Sequence, residues 1–175
     1  LGNNVQGMIG EGSSALLGYD GTWYGSLLEI DPTDGYWLIL NYSEESDMGT
    51  IYYSIEALPT EMDIQYDLYE RLNLISYVGI NGLGLDEALP DDIEMNIQSL
   101  MTSGSAAMRG TDSSWIGSLT TWHNLTGYWA NIYIDGDMSN YDILSFSFVS
   151  DYSADDNLSR QQKTKILTRL DNDLS

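Results

Sequence analysis

Short apolar segments separated by turn-forming residues make up most of the chain. Leu72, Asn73, Leu74, Ile75, Ser76 and Tyr77 form an apolar-rich stretch that reads as a strand, and Leu38, Ile39 and Leu40 form a fully apolar run. Ile51, Tyr53 and Ile55 alternate with polar neighbours, as do Leu144, Phe146 and Phe148, the signature of half-buried strands. Asp20-Gly21, Thr33-Asp34-Gly35, Asn81-Gly82 and Asp135-Gly136 break these runs with residues that favour tight turns. One stretch changes period. After Ala88-Leu89-Pro90-Asp91-Asp92, where proline suits a first helical turn and carboxylates suit its positive end, Ile93, Ile97, Leu100 and Met101 fall at helical spacing. That spacing predicts a short helix reaching about Thr102.

The pattern occurs twice. Residues 4–40 align without a gap to residues 96–132 at a constant offset of 92. Trp23, Gly25, Ser26, Leu27, Gly35, Tyr36 and Trp37 meet Trp115, Gly117, Ser118, Leu119, Gly127, Tyr128 and Trp129, and Asn4, Gln6, Ser13 and Ala15 recur at Asn96, Gln98, Ser105 and Ala107. Chance rarely repeats W-x-G-S-L and G-Y-W at one spacing, because tryptophan is scarce. With one inserted residue, the alternating strand at 51–55 meets that at 144–148. The second copy also has a beginning, Tyr66 to Leu89, with no counterpart before Leu1. The expected organisation is therefore the closing half of a first module at 1–58, a complete module at 59–150, and a linker with a tail at 151–175, with further modules upstream. Each module is expected to be a small α+β unit, mostly β, with an antiparallel sheet and one short helix.

The tail differs in charge as well as pattern. The chain holds 27 acids and 6 bases, a net −21, yet four of the bases, Arg160, Lys163, Lys165 and Arg169, lie in the last 16 residues. There Ile166, Leu167, Leu170 and Leu174 fall at helical spacing behind Ser159, which predicts a C-terminal amphipathic helix. Arg160, Lys163, Ile166, Leu167 and Leu170 are its candidate partner-binding residues, for an acidic neighbour or as a brace on the chain's own acidic body. That body would repel phosphate backbones, which argues against nucleic acid, and suits a salty or extracellular setting. No apolar run is long enough to span a membrane as a helix, and the absence of cysteine leaves the redox compartment open.

Candidate chemistry is sparse. His123 is the single histidine, in a predicted loop whose counterpart in the first copy is Asp31, so the repeat assigns it no recurring catalytic role. Carboxylates are so numerous that their proximity along the chain carries no information about acid–base catalysis, and no D-T-G or D-S-G element is present. No catalytic residues are assigned and no cofactor is implied. Asp135, Asp137, Ser139 and Asp142 alternate oxygen ligands as a calcium loop would. They depart from the EF-hand at Asn140, where glycine is needed, and at Phe146, where a bidentate glutamate is needed, so a polar hairpin turn is the plainer reading. The recurring rings read as core, and the rings without a counterpart, Tyr24, Trp122 and Tyr133, as the candidate ligand face, for instance for glycans.

The segments N-L-I-S-Y (73–77), A-L-P-D-D-I-E (88–94), W-I-G-S-L (115–119) and G-Y-W (127–129) resemble tandem modules of large secreted or cell-surface proteins of marine bacteria and of structural proteins of marine tailed phages. The resemblance covers about residues 1–150 and leaves out the basic tail. It implies a non-enzymatic structural or attachment role on a cell surface or virion, among other subunits of one assembly and with homo-oligomerisation expected. A carbohydrate-binding module, aided by calcium, is the alternative.

Overall fold

A computed structural model describes residues 4–40, 61, 63–134 and 143–149. The described chain is mostly β, with antiparallel sheets and one four-residue helix. The first sheet contains β1 (Val5–Ile9), β2 (Ser14–Leu17), β3 (Trp23–Gly25) and β4 (Trp37–Leu40), in the order β3-β2-β1-β4. After β5 (Tyr66–Tyr69) and β6 (Arg71–Ser76) come the helix α1 (Asp91–Glu94) and β7 (Ile97–Thr102), β8 (Ser105–Arg109), β9 (Trp115–Gly117) and β10 (Gly127–Ile132). The second sheet runs β6-β10-β7-β8-β9, and a last strand β11 (Ile143–Phe146) pairs with β5.

Strands β1–β4 and β7–β10 share their pairing as well as their sequence. Met8 faces Ala15 and Leu38, and 92 residues later Leu100 faces Ala107 and Ala130. Gly25 faces Ala15 as Gly117 faces Ala107. These two glycines have φ of 151° and 153°, and a Cβ on either would stand 2.0 or 2.1 Å from the carbonyl oxygen of Ser14 or Ala106. Glycine is required there both by backbone conformation and by the close approach of the neighbouring strand. The N–H groups of Ser14 and Ala106 each donate to the hydroxyl of Ser26 or Ser118 at 3.3 Å, and those of Leu27 and Leu119 to the Ser14 and Ala106 carbonyls at 3.0 Å.

The helix ends far short of Thr102. Pro90 leads into α1, which stops at Glu94, and Ile97–Thr102 is strand β7. The reason is a β-bulge. Ile97 faces Ile132 and Ser99 faces Asn131, so Gln98 is an extra residue, and the register shift lets Ile97 and Leu100 both point inward. A bulged strand thereby reproduces the i, i+3 spacing of a helix. The first sheet has the same irregularity between Val5 and Gly7, around Gln6. The recurring glutamines thus occupy a recurring bulge.

The main core lies between the inner face of the second sheet and the β5–β11 pair, sealed by the segment leading into α1. Trp122 stacks on Tyr77 with ring centroids 5.2 Å apart and meets Tyr128 and Phe148 edge-on at 4.7 and 5.0 Å. Phe148 in turn meets Tyr66 and Tyr77 edge-on. Leu83, Leu85, Ala88, Leu89 and Ile93 close the cluster. No helix among the described residues is long and apolar enough to cross a membrane.

Candidate functional site

Two places stand out, a polar cleft where the sheets meet and the inner face of the first sheet. The sheets meet along β6, which pairs with β10 on one edge and touches the approach to β4 on the other. There Gly35 N–H donates to the Leu74 carbonyl and Ser76 N–H to the Thr33 carbonyl, both at 2.9 Å, while Leu74 N–H donates to Glu11 Oε2 at 2.9 Å. The Ser76 hydroxyl donates to the Pro32 carbonyl. Asp31 shapes this approach as an Asx turn, accepting from the N–H and hydroxyl of Thr33 at 2.8 and 2.6 Å.

Beside this junction lies a cavity of about 220 Å³, bounded by Glu11, Thr33, Asp34, Tyr66, Asp67, Tyr69 and Asn73 among others. Burial, then the neighbouring charge of Asp31, pushes the Asp34 carboxyl above its ordinary pKa, against a lowering contact from the Tyr36 hydroxyl, and Glu11 adds a smaller push upward. Asp67 is held low by the Ser145 hydroxyl and the Gln65 amide. Asn73 closes the β5–β6 turn, its amide donating to the Tyr69 and Arg71 carbonyls and its oxygen accepting from Tyr69 N–H. Tyr66 is fully buried, and burial pushes its pKa up to about 12. Its hydroxyl sits close enough to Ser76 and the Val78 backbone to be influenced by them, but makes no hydrogen bond of good geometry. None of these cleft residues was assigned a site role from sequence. They come from both sides of the junction, and only the fold brings them together.

The inner face of the first sheet carries Met8, Ala15 and Leu38, with Leu27 and Ile30 beside them. It borders a cavity of about 260 Å³ also lined by Trp23, Leu28 and Glu29. Met8 and Ala15 are buried here as Leu100 and Ala107 are in the second sheet, and the difference lies at the rim, where Ile30 is 60% exposed against 0% for Trp122 and Leu40 is 41% exposed against 2% for Ile132.

The sequence-predicted ligand face does not form as one surface. Tyr24 and Tyr133 are exposed, but Trp122 is the centre of the aromatic core, its indole N–H donating to the Leu85 carbonyl at 3.3 Å. The assignment of Trp122 to a ligand face is therefore corrected. The core reading of the recurring rings also needs correction. Tyr128 is buried, but Trp23 and Trp37 are exposed and Trp115 and Trp129 half-buried. Trp37 and Trp129 pair with Ile9 and Met101, on the face opposite Met8 and Leu100, which places them outside. Trp115 instead packs under the Arg109 guanidinium, 4.5 Å from its ring, and that guanidinium reaches Glu94 at 3.7 Å.

His123 is exposed. Its ring Nε2 lies 3.0 Å from the Thr121 hydroxyl, and its backbone N–H donates to the Tyr128 hydroxyl at 2.8 Å. Asp31 N–H makes the same bond to Tyr36 at 2.9 Å, so what recurs at this position is a backbone contact. Asp135, Asp137, Ser139 and Asp142 lie outside the described residues, as do Arg160, Lys163, Ile166, Leu167 and Leu170 of the tail and the strand at 51–55. Among the described residues, no three acidic, histidine or cysteine side chains are grouped to hold a metal ion.

These features describe an antiparallel, mostly β protein with one strand arrangement built twice. No protein-family model, curated protein or solved structure matches the chain.

Proposed function

We propose that the protein is a non-enzymatic structural or attachment component of a larger assembly on an extracellular surface or virion. In this reading it is built from tandem modules at 1–58 and 59–150, with the basic tail at 151–175 as a further contact to neighbouring subunits. The observation that carries this reading is how the recurring residues are used. Gly25 and Gly117 admit the neighbouring strand, Ser26 and Ser118 hold backbone N–H groups, Gln6 and Gln98 occupy bulges, and Tyr36 and Tyr128 accept from a loop backbone. The duplicated residues maintain a scaffold, and scaffolds built in series present large surfaces to neighbours. Native mass spectrometry of the full chain, across a hundredfold range of concentration, should show an oligomer. A strict monomer throughout would overturn the reading.

The junction cleft favours a second reading, a carbohydrate-binding module. Carboxylates and the exposed Tyr69 ring beside one small cavity are groups that hydrogen-bond and stack on sugars. A glycan array probed with and without a chelator tests it, and silence under both conditions would remove it.

A further inference from the structure

We propose that the outward face of the β1–β4 sheet receives the basic amphipathic tail, residues 159–174, of a neighbouring copy of the chain. The inference deepens the assembly reading above, on which it rests, by naming the surface that the tail contacts.

Five large apolar side chains form one stripe on this face. Tyr24 on β3 pairs with Leu16 on β2, Leu16 with Gly7 on β1, and Gly7 with Ile39 on β4, while Ile9 pairs with Trp37 in the next outward row. The five side chains are 37–57% exposed. A Cβ on Gly7 would stand 2.7 Å from Leu16 Cδ2 and 2.9 Å from Ile39 Cδ1, so those two side chains lean over the glycine and close the stripe. A sheet face turned to water ordinarily carries polar residues. Here the second copy keeps apolar ones as well, with Met101, Met108, Ile116 and Trp129 at the positions of Ile9, Leu16, Tyr24 and Trp37. The core does not demand this, because these side chains point away from it. In the second sheet Ser99 and Asn131 replace Gly7 and Ile39 and interrupt the stripe, so the first sheet is the stronger receptor.

Charge and size select the occupant. The tail carries four of the six bases of a chain of net −21, and Ile166, Leu167, Leu170 and Leu174 share one side of its expected helix. The stripe ends at Asp20, whose carboxylate accepts from the Tyr24 hydroxyl at 2.7 Å and is held below its ordinary pKa by that bond and by the Thr22 N–H. A helix over 159–174 is about 24 Å long and four strands about 4.8 Å apart span roughly 15 Å, so one helix crosses the whole stripe. The tether is long enough to reach a neighbour: Val149 N–H donates to the Ala88 carbonyl, and residues 150–158 extend to about 30 Å. Apolar burial supplies the affinity, while opposite charge draws the tail to an acidic body and disfavours two acidic bodies meeting face to face. Tail and stripe are different surfaces, so copies joined this way link head to tail.

The test is fluorescence polarisation of a dye-labelled peptide of residues 159–175, titrated with the full chain carrying Leu167→Ser and Leu170→Ser so that its own tail does not compete. Saturable binding, weaker in 0.5 than in 0.05 M NaCl, is expected. Adding Leu16→Ser and Trp37→Ala to the chain should weaken it about tenfold or more. Leu125→Ser, at an exposed loop leucine of the second copy, should leave it unchanged. A peptide carrying Leu167→Ser and Leu170→Ser should not bind. Because Leu16 and Trp37 are exposed, the variants should keep the parent circular dichroism. As a check free of face variants, a photoreactive leucine analogue at position 170 of the peptide should label β2, β3 or β4. No binding at millimolar protein, binding that survives Leu16→Ser with Trp37→Ala, or labelling confined to other strands would overturn the proposal. An oligomer by native mass with a silent peptide would sink this interface and leave the assembly reading standing. A monomer that binds the peptide at the stripe would keep the interface and sink the assembly reading.

Discussion

Trp122 is the largest fully buried side chain among the described residues, and its indole is bracketed by Tyr77, Tyr128 and Phe148. Trp122→Ala should cost about 3–5 kcal/mol in urea denaturation, whereas Trp37→Ala, at a position 49% exposed, should cost less than about 1 kcal/mol. Equal losses would contradict the assignment of inner and outer faces. Tyr66 makes a second prediction. Its pKa in the fold is raised to about 12 by burial, against about 10 in an unfolded chain. The stability tied to the neutral phenol is therefore complete below pH about 10 and is lost as pH climbs from there through about 12. Because the hydroxyl lacks a good partner, Tyr66→Phe should be neutral or stabilising by up to about 1 kcal/mol at pH 7. It should also move alkaline unfolding, followed by circular dichroism, to higher pH. A Tyr66→Phe protein that is clearly less stable at pH 7 would mean the hydroxyl is bonded after all.

At the scale of elements, the instructive case is β7. Inward positions at Ile97 and Leu100 have a helical spacing, and Pro90 with its following acids begins a genuine helix, so the local signal favours one continuous helix. The bulge at Gln98 resolves the ambiguity, because its meaning depends on Asn131 and Ile132, more than 30 residues away. Deleting Gln98 should restore strict alternation and turn one flank of β7 outward, since a one-residue slip moves every side chain to the other face. Loss of cooperative thermal unfolding is expected. A deletion variant melting like the parent would show that the bulge is dispensable. Strand β6 was legible from its apolar pattern, and the turns at Asp20-Gly21 and Asn81-Gly82 from those residue pairs, because such signals are local.

At the scale of the whole molecule, the two sheets contact each other along β6, and Glu11, Asp31 and Asp34 crowd together at that contact. With a net charge of −21, self-repulsion opposes the compact state. Raising NaCl from 0.05 to 1 M shortens the screening length to about 3 Å and should raise Tm by about 3 °C or more. A Tm that falls with salt would place net attraction among the charges instead.

The duplication, the β-rich character and most turns follow from the order of residues, since rare indoles and glycines at one offset demand a common local geometry wherever they occur. Which rings are buried, where α1 yields to β7, and how Glu11, Asp34 and Asn73 come to border one cavity were decided by tertiary pairing. A strand has two faces, and alternation alone does not say which one the rest of the chain will cover. In the second sheet that covering segment is Asn81–Ile93, and it turned Trp122, whose counterpart in the first copy is Ile30 and not a ring, into the centre of the core.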